Sequence, residues 1–326
     1  SDAHLLITEN IDVWTTAIKK RSSQGRGSNK KIELTGIKKL RELILELAVR
    51  GKLVPQDPND EPASILLEKI AAEKELLIKD KKIKKAKALP EIGKDEKPFL
   101  LPDGWEWERL EPISLKITDG EHLSPKKIDS GIKLLSAKHV LDTGVTLYDP
   151  QYVSSEDAEK FRLRCDPIID DVLICSRGTI GRCCVVNITE YFCLMGSVIL
   201  FRSPIEISSQ YINYYLKSPL GLSSINGMTK GMAVNALYLK DIKSAPIPIP
   251  PVAEQHRITA KVDKLMALCD QLEQQTEDSI TAHQTLVETL LATLSNSETP
   301  AEFNQNWTRI AEHFDTLFTT EHSIDQ

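Results

Sequence analysis

Residues 238–264 read Tyr238-Leu-Lys-Asp-Ile-Lys-Ser-Ala-Pro246-Ile-Pro248-Ile-Pro250-Pro251-Val252-Ala-Glu254-Gln255-His-Arg257-Ile258-Thr-Ala-Lys-Val262-Asp-Lys264, and the break at Pro251 decides how the chain is divided. Proline has no N–H and a fixed φ, so the run before the break can be neither helix nor the interior of a sheet. After it, apolar or small residues recur at Ile258, Val262, Leu265, Cys269 and Leu272, yield to a polar middle at Thr276, Ser279 and His283, and resume at Val287, Leu290 and Leu294. Steps of four and three make a coiled-coil seam, and Pro251 is placed to open the helix that carries it. The same pattern also fits a long helix packed on its own domain. The stretch therefore predicts a domain that closes near residue 250 and a spacer or dimerisation helix over 251–326.

At 326 residues the chain has room for two or three packed units. No apolar run approaches the roughly 20 residues of a membrane span, and no basic-then-apolar leader opens the sequence; a cytoplasmic location is the default. Cysteines 165, 175, 183, 184, 193 and 269 form no CxxC pair and have no histidine at zinc-ligand spacing, so they read as small buried hydrophobes and no metal is expected. The net charge of −6 argues against nucleic acid only until its distribution is seen. Residues 251–326 carry 4 Lys and Arg against 13 Asp and Glu, whereas residues 114–250 carry 15 against 14, which leaves room for a local basic face.

Residues 1–95 read as a helical region with a flexible Gly- and Ser-rich loop near 21–31. Ile37, Leu40, Ile44 and Leu47 mark one helix, ended by Gly51 as a left-handed cap. Leu66, Ile70, Leu77 and Ile78 mark a second, with Asn59 or Asp60 placed to cap it and Lys81-Lys-Ile-Lys-Lys-Ala-Lys87 at its end. That lysine run fits a solvated helix end that complements its own dipole, or a phosphate contact. An internal repeat relates Ile7-Thr-Glu9-Asn-Ile-Asp12 to Ile310-Ala-Glu312-His-Phe-Asp315. Beyond residue 100 the pattern becomes β-rich, with strands predicted over 131–136, 171–176, 182–186 and 196–201, and helices over 155–164 and 209–217. The fold class is α+β: a mixed domain over 100–250, flanked by long coiled-coil-type helices.

Four motifs occur in order: Leu101-Pro-Asp-Gly-Trp105, Asp119-Gly-Glu-His122, Asp170-Asp-Val-Leu-Ile-Cys-Ser-Arg-Gly178-Thr-Ile-Gly181, and Pro246-Ile-Pro-Ile-Pro-Pro-Val-Ala-Glu254-Gln255-His-Arg-Ile258. Together they resemble the specificity subunits of type I restriction-modification enzymes, over one target recognition domain and the helix after it. Leu47-Ala-Val-Arg-Gly51-Lys-Leu-Val54-Pro with Glu61-Pro-Ala-Ser64 resembles the helical regions beside such domains. The resemblance implies that the 100–250 domain reads one half of a split site on double-stranded DNA. It also implies docking of adenine methyltransferase (modification) subunits, which bind S-adenosylmethionine, and assembly with a motor-nuclease restriction subunit. One recognition domain instead of two implies a truncated subunit, or a half-subunit that pairs with itself or a second half. A protein-binding scaffold with a coiled-coil helix and no DNA role is the competing reading.

The residues expected to touch DNA lie in polar or glycine-bearing loops. They are Thr118, Asp119, His122, Lys126 and Lys127 in one loop, Lys138 and His139 beside a predicted strand, Arg177, Thr179 and Arg182 around Gly178 and Gly181, and Lys230 and Asn235 in a small-residue loop. Solvated turns explain the same residues. No catalytic set and no cofactor site is expected in this chain. Asp149-Pro-Gln-Tyr152 is one residue from the Asp-Pro-Pro-Tyr type motif of amino-methyltransferases but reads as a turn without a glycine-rich cofactor loop, and Pro167-Ile-Ile-Asp170-Asp171 lacks the Glu-x-Lys of a nuclease metal site. Trp14, Trp105, Trp107 and Trp307 are assigned to packing.

Overall fold

The computed structural model describes residues 9–17, 19–20, 32–123, 125–126, 128–226 and 236–313. In chain order the elements are α1 (Ile11–Thr16), β1 (Lys19–Lys20), β2 (Ile32–Glu33), α2 (Thr35–Val49), α3 (Ala63–Lys79), β3 (Glu106–Arg109), β4 (Lys116–Asp119), β5 (Ile132–Leu135), β6 (Val140–Leu141), β7 (Gly144–Val145) and β8 (Gln151–Val153). There follow α4 (Ser155–Arg164), β9 (Val172–Cys175), β10 (Cys183–Val185), β11 (Phe192–Leu194), β12 (Val198–Arg202), α5 (Ser209–Lys217), α6 (Pro219–Asn226), α7 (Leu239–Ser244), β13 (Pro246–Ile249), α8 (Val252–Ser295) and α9 (Pro300–Glu312). The fold class is α+β with a long helix, as expected. The chain forms two compact units, one built from Leu40–Leu265 and the other from Asn10–Lys39 with Met266 onward.

The first unit is layered. An antiparallel sheet of order β10-β9-β12-β4 stacks on a smaller sheet of order β11-β5-β8, in which β11 and β5 run parallel. Leu135, Phe192 and Leu194 of the small sheet share a core with Leu173, Cys175, Cys184, Val198 and Leu200 of the large one. Their sequence neighbours Leu134 and Cys193 face the other way and pack with Ala158 of α4, the two-residue period expected of strands. β9 is buried along its whole length, and the Cys183 thiol meets the Asn213 carbonyl of α5 at 3.7 Å. All six cysteines are buried thiols; burial pushes those of Cys165, Cys183 and Cys184 up to about 12, so they behave as hydrophobes.

Among the described residues the proline strand β13 pairs antiparallel with β3 alone. Its remaining carbonyls are met by side chains instead of a strand: Tyr211 donates its hydroxyl to Pro248 O at 2.7 Å and Tyr215 to Pro246 O. Pro246 and Pro248 thus sit where no N–H is needed. α8 starts directly after Pro251. Gln255 Nε2 donates to Pro250 O at 3.0 Å, and its Oε1 accepts from Ser208 N at 3.0 Å. Ile258, Val262 and Leu265 are buried within this unit.

Gly51 ends α2 at φ +66, with Lys52 N donating to Leu47 O at 2.9 Å, the left-handed cap the sequence predicts. Three expectations are corrected. Pro62, without a side-chain cap, precedes α3; Asp60 instead holds Arg257 through two bonds of 3.2 and 2.5 Å, and Asn59 is tied to Asp57 Oδ1 at 2.9 Å. α3 also stops at Lys79, where Lys81 adopts φ +58, so Lys81, Lys82, Lys84, Lys85 and Lys87 lie beyond the helix instead of finishing it. Trp307 is 52% exposed and does not pack as expected, whereas Trp105 is buried and Trp107 meets Phe99 edge-on at 5.2 Å.

In the second unit, the Thr35 hydroxyl and the Gly36 N–H both donate to Ala17 O, at 2.8 and 2.9 Å. Val287 and Ile310 form a small core with Leu290, Leu291 and Leu294, which seats α9 against the end of α8. Thr299 caps α9 by accepting from Glu302 N at 3.2 Å. Along the long helix the less exposed stripe passes Cys269, Leu272, Thr276, Ile280, His283 and Val287. Ser279 is exposed, and Ile280 takes its place in the polar middle. The repeat lies partly outside the described residues, at Ile7 and from Phe314 onward.

Candidate nucleic-acid interface

The large sheet has one end at which β4 finishes at Asp119, β9 finishes at Cys175, and β12 and β10 begin at Val198 and Cys183; the registers Asp119↔Ile199, Cys175↔Val198 and Ile174↔Cys183 align these points. The parallel strands β5 and β11 of the small sheet finish beside it. Every loop leaving this end is stitched to the turn 195–197. Gly196 N donates to Glu121 O at 2.7 Å, Ser176 N to Ser197 O at 2.9 Å, Met195 N to Leu135 O at 2.8 Å, and Ala137 N to Ser197 Oγ at 3.2 Å. Leu237, the second described residue after position 226, donates its N–H to Ser176 O at 2.9 Å. Loops from positions 120, 136, 176 and 195, together with the chain returning at 236, therefore converge on one surface.

The stitching explains two glycines. A Cβ on Gly120 would lie 2.2 Å from Leu194 O, and one on Gly196 would lie 2.5 Å from the His122 ring. Gly178 is different: at φ +74 with nothing within 4 Å of a virtual Cβ, it forms an open tip between the exposed Arg177 and Thr179.

The candidate residues separate into three groups. Arg177, Thr179 and Lys126 are exposed, and Lys138 is exposed but paired with Asp149 at 2.6 Å, whose carboxyl the lysine holds below its ordinary value. Thr118 is half-buried in β4, where its hydroxyl reaches Asp119 O at 3.4 Å. Asp119, largely buried, holds His122 Nε2 at 2.7 Å through Oδ2.

The second group consists of residues taken by the fold. His139 is 1% exposed; its Nδ1 accepts from Ser136 N at 2.9 Å and its Nε2 lies 3.3 Å from Asp149 O. Burial pushes its pKa down, so the ring braces its own turn and is withdrawn from the surface. Arg182 is half-buried and donates to Ala137 O at 2.8 Å, which makes it a brace between β10 and the turn after β5. The third group, Lys127, Lys230 and Asn235, lies outside the described residues.

One residue at this end escaped the sequence reading. Arg164, the last residue of α4, donates to Asp119 Oδ1 with its own side chain 46% exposed. A basic residue in the last turn reads as a dipole complement, and nothing in the sequence signals a partner 45 positions away.

Other acidic motifs resolve into structure. Asp171 is buried and accepts from Arg202 Nε and Nη2 at 2.8 Å each and from Ile168 N at 2.9 Å. Asp149 sits in a turn at φ +52. Among the described residues no group of three His, Cys, Asp or Glu side chains gathers as a metal site, and no helix is long and apolar enough to cross a membrane.

The two-sheet domain has loops that converge at one end, and its closing proline strand is followed in sequence by a 44-residue helix. Residues 133–282 match the family model of the Type I restriction modification DNA specificity domain. The chain is 45% identical to the type I restriction enzyme EcoEI specificity subunit of Escherichia coli over 98% of its own length and 54% of the relative's. Against the EcoAI specificity subunit of Escherichia coli the identity is 44%, over 98% and 55%. The chain thus spans about half the length of the curated relatives it matches. The crystal structure of an HsdS subunit from Thermoanaerobacter tengcongensis is similar at 20% identity and a TM-score of 0.42, over 84% of this chain and 63% of that one.

Proposed function

We propose that this chain is a non-catalytic DNA-reading component of a type I restriction-modification assembly, in which the loops at the 119/175/198 end of the large sheet contact one half of a split double-stranded site. The observation that carries the reading is the convergence of the candidate loops on one surface, inside a unit that overlaps the family-matched residues. Exposed Arg177 and Lys126 supply cations there, while buried Asp119 fixes the polar groups beside them. α8 has the length of a spacer: 44 helical residues extend about 66 Å at 1.5 Å per residue. In this reading the domain boundaries are 1–95, 100–250 and 251–326. The seam from Cys269 to Leu294 pairs with a second half-subunit or a second copy, and the same helices dock adenine methyltransferase and motor-nuclease partners.

Binding of the purified chain to duplex oligonucleotides as a function of salt tests the proposal. Affinity should fall linearly in log–log form as salt rises, because bound phosphates release counterions, and selection from a random duplex pool should return a short sequence. The chain alone should neither methylate DNA with S-adenosylmethionine nor cleave it with Mg²⁺. Methylation or cleavage by the chain alone, or salt-independent binding, overturns the proposal.

A further inference from the structure

At the loop-bearing end of the sheet a single carboxylate, Asp119, organises two donors from different elements. His122 follows it on the adjoining loop, with Nε2 2.7 Å from Oδ2, and Arg164 comes from the end of α4 to Oδ1. The side chain of Asp119 is 13% exposed, while those of His122 and Arg164 are 50% and 46% exposed. The carboxylate is thus the buried support and the two donors are the outer layer. The His122 ring lies against Gly196, where a Cβ would come within 2.5 Å of it, so the histidine is fixed from a second side.

This arrangement differs in kind from Arg177. Arg177 has no hydrogen-bond or ion-pair partner among the described residues and stands exposed beside the open tip at Gly178, its charge unbalanced and available to phosphate. Arg164 has its charge balanced by Asp119 at close range, which weakens its attraction for a distant phosphate. The same contact limits the rotamers of the guanidinium, and among the described residues its other N–H groups make no further hydrogen bond. A planar fork held in one orientation is the geometry that discriminates the O6 and N7 acceptors of guanine.

We propose that Arg164 is a specificity-determining residue that reads a guanine edge in the major groove, with Asp119 as its positioning residue. The assignment rests on the DNA-reading function proposed above. His122 completes the support by occupying the second oxygen of Asp119, so the carboxylate holds Arg164 through the other.

The experiment uses the full chain and random-sequence duplex pools, comparing wild type with Arg164→Ala, Arg164→Lys, Asp119→Asn and Arg177→Ala. Wild type should select a sequence containing an invariant G·C pair. Arg164→Ala should relax that one position and lower the ratio of specific to non-specific affinity roughly 5- to 150-fold, the loss of one bidentate base contact. Its non-specific affinity and salt slope should stay at wild-type values. Arg164→Lys keeps the charge over Asp119 but lacks the fork, so it should fold and still fail to restore selection. Asp119→Asn should give an intermediate loss at the same position. Arg177→Ala should show the opposite pattern, a flatter salt slope with selection intact. An Arg164→Ala protein with a flatter salt slope and unchanged selection, or with neither altered, overturns the assignment while leaving DNA reading in place. A wild-type chain that selects no sequence overturns both.

Discussion

The indole N–H of Trp105 donates to Glu254 Oε2 at 2.8 Å. The other oxygen, Oε1, accepts from Gln56 Nε2 at 2.7 Å, and Gln56 also reaches Gly51 O at 3.2 Å. Three motifs separated along the sequence, Gly51-Lys-Leu-Val-Pro-Gln56, Leu101-Pro-Asp-Gly-Trp105 and Pro251-Val-Ala-Glu254, therefore close on one buried carboxylate at the start of the long helix.

Burial pushes the Glu254 pKa above its ordinary 4.5, opposed by the bonds from Trp105 and Gln56 and by the charge of Arg257. The folded protein thus keeps this proton to a higher pH than the unfolded chain. The group's contribution to stability is fully present below the unfolded value and declines as pH rises through the raised folded one. Melting temperatures of wild type and Glu254→Gln should diverge in the variant's favour as pH rises above the ordinary carboxylate value, and a pH-independent difference would contradict the account. Trp105→Phe, which strips a donor from the buried carboxylate, should cost about 1–3 kcal/mol in denaturant titrations.

Tyr211 and Tyr215 stand in for a missing strand beside the proline run. Tyr211→Phe leaves Pro248 O buried with a lost donor while the ring still fills its place. The expected cost is about 1–3 kcal/mol, read as a lower midpoint at unchanged denaturant slope. Tyr215→Phe should behave alike, and a cost near zero for both would mean that the hydroxyls contribute no net stabilisation.

Gly120 and Gly178 should both lose stability on substitution by alanine, to very different extents. At Gly178 the only penalty is a left-handed backbone, about 1–2 kcal/mol, because no atom lies within 4 Å of the added carbon. At Gly120 the added carbon meets the backbone of Leu194 and Met195 within 2.4 Å, so β11 and the turn after it must move. Thermal unfolding should rank Gly120→Ala well below Gly178→Ala.

Much of this fold was legible because its signals are local. Ser154 and Ser208 cap α4 and α5 through Asp157 N at 3.1 Å and Tyr211 N at 3.3 Å, and both helices occupy the spans the sequence predicts. The strands over Ile132–Leu135, Val172–Cys175, Cys183–Val185 and Val198–Arg202 announce themselves by β-branched and apolar runs between turns. The site was legible only as a set of loops. Whether a polar residue in such a loop faces out depends on partners far away in sequence: Ala137 O claims Arg182, Asp149 O helps hold His139 inside its turn, and Asp119 recruits Arg164 from a helix that carries no motif.

That distinction separates Arg177 from Arg182, five positions apart and equivalent by sequence. Arg177 is exposed at the loop tip, so Arg177→Ala should leave the melting temperature within error, weaken DNA binding about equally for all sequences and reduce the salt slope by about 1. Arg182 spends a donor on Ala137 O inside the sheet end. Arg182→Ala should therefore destabilise the fold by about 1–3 kcal/mol, because the carbonyl loses a charged partner. Any binding loss it causes should track the population unfolded and leave the salt slope as in wild type. Measuring stability and salt slope on the two variants side by side distinguishes a phosphate contact from a brace, and an Arg182→Ala protein of full stability with a flatter slope would reverse their roles.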